Sequence, residues 1–141
     1  MISKHREQVM REIFETSPFS RYLGMTIESL DEGYARIYMS CRQELKQIQG
    51  IIHGGALASL ADTAVGLALA TMIETYQRIN TIEMKINFLA SIREGQVVAE
   101  ARILRKGKAV AVGDVSIFDE HGKMVAKSLM SYSIRGTKQL P

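Results

Sequence analysis

The sequence predicts an α+β fold, with a mainly antiparallel sheet wrapped around one buried helix. Three observations carry that expectation. Residues 54–75 read GGALASLADTAVGLALATMIET, an alanine- and leucine-rich run that is apolar on almost every side. That is the pattern of a helix buried all round. From Ile79 onward, apolar and polar residues alternate in strand-length segments bounded by turn residues. Helices and strands are also segregated along the chain, which favours α+β over α/β.

Each element follows in order. Val9, Met10, Ile13 and Phe14 have helical spacing on a charged background, predicting a helix over residues 3–16. Ser17-Pro18 should end it, because the residue before proline avoids the helical region. Strand-like runs follow at Gly24–Leu30 and Tyr34–Cys41, joined by a hairpin turn at Asp31-Glu32-Gly33. Residues 42–52 read as a loop, and residues 54–75 as the long helix. Ile82, Met84, Ile86 and Phe88 then alternate with Glu83, Lys85 and Asn87, a strand with one buried face. Further strands are predicted at Gln96–Leu104, Ala109–Phe118 and Met124–Ile134. Glu94-Gly95, Lys106-Gly107 and Asp119–Gly122 supply the turns. Only the helix from Gly54 is long and apolar enough to cover the inner face of this sheet.

Bulk composition narrows the function classes. At 141 residues the chain is the size of one domain, expected to span 1–141 with its core at about 20–136. Apolar residues make up 46% and charged residues 23%, which excludes disorder. A lone cysteine, Cys41, cannot form an internal disulfide, and the first residues lack the pattern of a secretory signal. A cytoplasmic setting is therefore expected. The net charge of +3 comes without a dense basic run, so no nucleic-acid partner is expected. A membrane span over 54–75 would bury Asp62 at about 2.5–3.5 kcal/mol, so no membrane partner is expected either.

The chemistry-bearing segment runs from His53 to Asp62. A helix N-terminus carries unpaired N–H groups and a partial positive charge. Gly54 and Gly55 have no side chain to keep a substrate away from them. Asp62 sits among Ala58, Leu60, Ala61, Ala64 and Val65, and a carboxylate there is expected to be buried. Buried carboxylates are rare unless paired or functional, so Asp62 reads either as a base strengthened by desolvation or as a structural aspartate capping a neighbouring loop. Helix geometry puts Asp62 roughly 180° around the axis from His53 and about 13–14 Å along it. The two side chains cannot meet in one subunit. If both serve one reaction, the site is composite and lies at a two-fold dimer interface.

Gly50-Ile51-Ile52-His53-Gly54-Gly55 followed by Leu60-Ala61-Asp62 resembles the signature of phenylacetyl-CoA thioesterase-like hotdog proteins. The strand order, the Gly95 turn, the Arg105-Lys106-Gly107-Lys108 turn and the Asp119–Lys123 turn fit the same family, over roughly residues 20–136. The resemblance implies a hotdog fold and hydrolysis of an acyl-CoA substrate, with no metal and no cofactor. It implies Asp62 as general base or nucleophile, and the helix start at Gly54 and Gly55 as the group that polarises the thioester carbonyl. Such polarisation is worth about 3–4 kcal/mol per donor. Gln47 matches a position near the thioester, where an amide could bond the carbonyl or the attacking water, or be an ordinary loop residue. His53 matches an orienting residue at the helix start, or is a buried histidine bonded to backbone. Thr81 matches one that helps place water, or is a simple β-branched strand residue. A homodimer assembling into a homotetramer is also implied. One departure stands out. Similar sequences often carry a proline after the Thr81 strand, and Leu89-Ala90-Ser91-Ile92 has none, which bears on substrate preference.

Arg102, Arg105, Lys106 and Lys108 read either as a solvated turn or as contacts for CoA phosphates. Two other functions remain compatible with the fold. One is a dehydratase or hydratase of acyl thioesters, which would pair a histidine with the acid. Here no histidine closely follows Asp62, and His121 falls in a turn. The other is a non-catalytic acyl-CoA binder, since fold alone does not establish activity.

Overall fold

The structure is a computed structural model describing residues 1–136. Residues 137–141, the end of the expected domain, lie outside the described residues. Two helices, α1 (Lys4–Glu15) and α2 (Pro18–Leu23), precede strands β1 (Thr26–Asp31) and β2 (Tyr34–Ser40). The long helix α3 (Gly54–Ala70) is followed by β3 (Arg78–Phe88), β4 (Gln96–Lys106), β5 (Val110–Phe118) and β6 (Met124–Arg135). All six strands form one antiparallel sheet in the order β1-β2-β4-β5-β6-β3. The sheet curls over α3. Leu60, Ala61, Ala64, Val65, Ala68 and Leu69 of that helix are fully enclosed, against Ile37, Met39, Val97, Val115, Ile117 and Met130. Gly113 on β5 permits the close approach, because a Cβ there would sit 2.7 Å from Val65 Cγ1. This is the hotdog arrangement that the sequence predicts.

Several local expectations are corrected. Pro18 ends the first helix but also starts a second at its N1 position, where its missing N–H costs nothing. The strand expected from Gly24 begins at Thr26, and Gly24 instead closes α2 in the left-handed conformation. Residues 42–52 are not a plain loop. They hold a 3-10 turn at Gln43–Leu45 and a bridge between Lys46 and Ile52. The long helix stops at Ala70 rather than at residue 75. The Thr71 hydroxyl donates to the Ala68 carbonyl (2.6 Å) and accepts the Gly33 N–H (2.8 Å). Arg6 donates to the Ala70 carbonyl at 2.9 Å and also to that of Ile73. A cation on terminal carbonyls suits the negative end of the helix.

α3 is also not buried all round. Ser59, Asp62, Thr63, Gly66 and Ala70 form a half-exposed stripe along it. Among the described residues, no helix is long and apolar enough to cross a membrane.

The two edges of the sheet differ. At β1, Arg11 of α1 donates to the carbonyls of Ile27 (2.8 Å) and Glu28 (3.2 Å), across a bulge between Ile27 and Ser29. Among the described residues, β3 pairs only with β6; it carries eleven residues, with Ile82 as the extra residue of a bulge.

Candidate active site

Two clusters form on α3, and they draw on opposite ends of β3. The first lies at its start. The Ile52 N–H donates to the Ile92 carbonyl and the His53 N–H to the Leu45 carbonyl, which fixes where the helix begins. His53 is the N-cap, and its Nδ1 accepts the Gly55 N–H at 2.7 Å. That bond assigns the remaining imidazole proton to Nε2. Gly55 is what lets the ring fold back, since a Cβ there would sit 2.9 Å from Nδ1. Of the two glycine N–H groups expected to be free, Gly55's is therefore taken. The Gly54 N–H makes no hydrogen bond among the described residues.

Gly54 opens onto a cleft of about 350 Å³ lined by Gln47, Ile51, Gly54, Leu57, Phe88 and Ser91. Gly50, in the left-handed conformation at φ 75°, turns the chain so that Gln47 faces this cleft. The Gln47 side chain bonds within its own turn. Its Nε2 donates to Gln49 Oε1 at 3.1 Å, and its Oε1 accepts the Gln49 N–H. The Phe88 ring packs on Gly54, where a Cβ would sit 3.0 Å from Cζ.

The second cluster surrounds Asp62. Thr81 Oγ1 donates to Asp62 Oδ1 at 2.7 Å, and Tyr132 Oη donates to the same oxygen at 2.5 Å. Tyr132 Oη also lies 2.6 Å from the Asp62 backbone carbonyl. Asp62 Oδ2 has no partner among the described residues. The carboxylate is half-buried in the single chain, not enclosed as expected. Burial, and then its bond to Asp62, raise the Tyr132 phenol well above its ordinary value of 10, so it stays a donor throughout the neutral range. Gly66 makes room for it, because a Cβ there would meet Tyr132 Oη at 3.2 Å.

Gln47, His53, Gly54 and Gly55 are thus gathered at one end of α3, and Asp62 and Thr81 near its middle. The structure does not bring the two groups together within one chain. Arg105, Lys106 and Lys108 lie apart from both, exposed around the β4–β5 turn and without ion pairs among the described residues. Arg102 leaves that cluster and stacks on the Tyr34 ring at 4.6 Å. Among the described residues, no group of His, Cys, Asp or Glu is arranged to hold a metal.

The thioesterase superfamily profile matches residues 49–126, more than half of the chain and all of α3. The chain belongs to the thioesterase superfamily. A Saccharolobus solfataricus protein with the provisional name esterase is 32% identical, over 93% of this chain and 94% of that one. The medium/long-chain acyl-CoA thioesterase YigI of Escherichia coli K12 is 29% identical, over 83% of this chain and 85% of that protein. The solved structure of the E. coli PaaI protein, from the phenylacetic acid degradation operon, superposes with a TM-score of 0.87 at 27% identity. It covers 96% of this chain and 97% of that one. The chain is a hotdog-fold thioester hydrolase.

Two thioesterase residues of interest escaped the sequence reading, Tyr132 and Phe88 in its role beside Gly54. Tyr132 did leave a signal. It lies in the inward row of β6 with Met130 and Ile134, and a buried phenol among aliphatics needs a partner.

Proposed function

We propose that this thioesterase hydrolyses an acyl-CoA in a site shared between two copies of the chain. The observation that carries the reading is the Asp62 carboxylate. It is half-exposed on the side of α3 facing the open β3 edge, with one oxygen held and the other free. Gly54 of one copy polarises the thioester carbonyl, and Asp62 of the other acts as general base on water or as nucleophile. Gln47 reaches the carbonyl or the water. His53 fixes the helix start, and Thr81 orients Asp62.

The open edge supports this pairing. An uncovered strand with exposed apolar residues, Ile82 at 55% and Phe88 at 52%, is a template for another strand. Thr81 marks the Asp62 cluster and Phe88 the Gly54 cluster, and both face α3. If β3 pairs antiparallel with its copy about a two-fold at Lys85, Met84 lies opposite the partner's Ile86 and Glu83 opposite the partner's Asn87. The bulged Ile82 then shifts the register by one, bringing Thr81 opposite the partner's Phe88. The same register joins Asp62 of each copy to Gly54 of the other. Two such dimers would complete the homotetramer.

The β4–β5 turn offers the CoA contact. Lys106 pairs with Ala111, Ala111 with Tyr132 and Tyr132 with Thr81, one row across the sheet. Three strand spacings put the turn about 14 Å from Thr81. Arg105, Lys106 and Lys108 there would meet the phosphates.

A thiol-release assay across aryl, short-chain and medium-chain acyl-CoA esters tests the reading, with Asp62→Ala as control. Turnover of at least one ester, lost in the control, is the expected result. Absence of turnover with every ester would overturn it. A Lys85→Cys variant tests the register. It should cross-link to its own copy under mild oxidation.

A further inference from the structure

We infer that Tyr132 is a positioning residue for the Asp62 carboxylate, pinning Oδ1 so that Oδ2 alone is presented to the reaction. The inference rests on the function proposed above for Asp62 but reaches a residue outside the His53–Asp62 segment.

The geometry is specific. Two hydroxyls from different strands, Thr81 on β3 and Tyr132 on β6, converge on a single oxygen at 2.7 and 2.5 Å. A carboxylate on a helix can rotate about its terminal torsion, which has a broad and roughly two-fold profile. Two donors on one oxygen remove that freedom. Tyr132 is the more rigid of the two, being only 5% exposed, while Thr81 is exposed. Its Oη also lies 2.6 Å from the Asp62 carbonyl, so one phenol registers the side chain against its own backbone. Gly66, one turn after Asp62, leaves the space that the phenol occupies.

The groups facing the carboxylate are few. β3 contributes Thr81 and β6 contributes Tyr132, while Glu83 bonds Ser131 on the other face of the sheet. On α3 itself, Ser59 donates to the Gly55 carbonyl and not to Asp62. Asp62 forms no ion pair among the described residues. The tyrosine is thus a principal influence on which oxygen reacts.

The test compares wild type with Tyr132→Phe, which keeps the ring and removes the hydroxyl. Protein labelled with 13C-carboxyl aspartate gives an Asp62 infrared band, identified by its loss in Asp62→Asn. In Tyr132→Phe the spacing between the two carboxylate stretches should change. The value of kcat should fall about tenfold with KM nearly unchanged. An Asp62 band and a kcat identical to wild type would overturn the inference. Gly66→Ala provides a second variant, pressing a methyl group toward Oη without removing it. It should move the same band in the same direction by a smaller amount, and an unmoved band counts against the inference. The infrared readout needs no turnover. If no ester is hydrolysed by wild type, the proposed function fails while the spectrum still decides the role of Tyr132.

Discussion

The first turn of α3 and its middle meet the substrate in different ways. At the start the working group is backbone. Among the described residues the Gly54 N–H is left open, beside Gly55, the capping His53 and the Phe88 ring. In the middle the working group is a side chain, held by hydroxyls from β3 and β6. The hydrogen bonds at the start are close in sequence, Leu45 to His53, apart from the Ile92 carbonyl, and the Phe88 ring packs on Gly54 from β3. Asp62 instead depends on Tyr132, seventy positions away. Backbone donors come fixed by the helix itself. A carboxylate must be held by the sheet, so the middle is the more easily disturbed of the two.

The most drastic way to break the comparison is to silence the middle. Asp62→Asn keeps the shape and both hydroxyl contacts but removes the base. We expect kcat to fall about 10³-fold with KM little changed, the scale of a lost general base. Steady-state kinetics on any active ester would show it.

Silencing the start instead, and then combining the two variants, sharpens the comparison. In Gly54→Val the added side chain meets the Phe88 ring, since even a Cβ would lie 3.0 Å from it. Alone, this variant should lose about a hundredfold in activity, because the side chain blocks the carbonyl's approach to the Gly54 N–H, a donor worth that much. Co-expressed with Asp62→Asn, half of the dimers are mixed, and each has one site built from two unaltered halves. Activity should return to about one quarter of wild type, as two-fold symmetry requires. A co-expressed mixture no more active than the single variants would mean that each chain carries a whole site.

The two clusters were unequally legible in the sequence. The start could be read from local pattern, because His53-Gly54-Gly55 opens a long apolar run and helix ends have known chemistry. Even there, the consumption of the Gly55 N–H by His53 depended on a side-chain rotamer that no spacing encodes. The long strands from β3 to β6 were legible through alternation. The separation of His53 from Asp62 followed from helix rise alone. Pro18 was read only as a stop, because one residue can both end one helix and start the next. The end of α3 was missed because Thr71 and Arg6 set it through distant partners. Tyr132 was overlooked for the same reason, since its partner is visible only once β6 lies against α3.

A milder test concerns the substrate's far end. Replacing Lys106 and Lys108 with glutamine should raise KM for CoA esters by about tenfold, while a short thioester without the nucleotide keeps its KM. Each lost phosphate contact on an exposed residue is worth about 0.5–1 kcal/mol. An equal rise for both substrates would assign these lysines to the surface.

The smallest expected effect is on stability, and it isolates how tightly the middle is held. The folded state keeps the Tyr132 phenol protonated above its ordinary value of 10, first through burial and then through Asp62. The unfolded chain releases that proton near 10. The stabilisation is therefore complete below pH 10 and is lost as pH rises beyond it, because only the unfolded state gives up the proton. Wild type should lose a few degrees of Tm between pH 9 and about 11 from this residue. Tyr132→Phe starts lower, since it lacks the bonds to Asp62, but its Tm should fall less steeply across the same interval. Tyr34 is also raised, through burial and then Glu100, and its contribution is present in both proteins, so it cancels in the difference. Parallel slopes would show that the phenol is not held protonated against Asp62. The middle of α3 would then be no more constrained than its start.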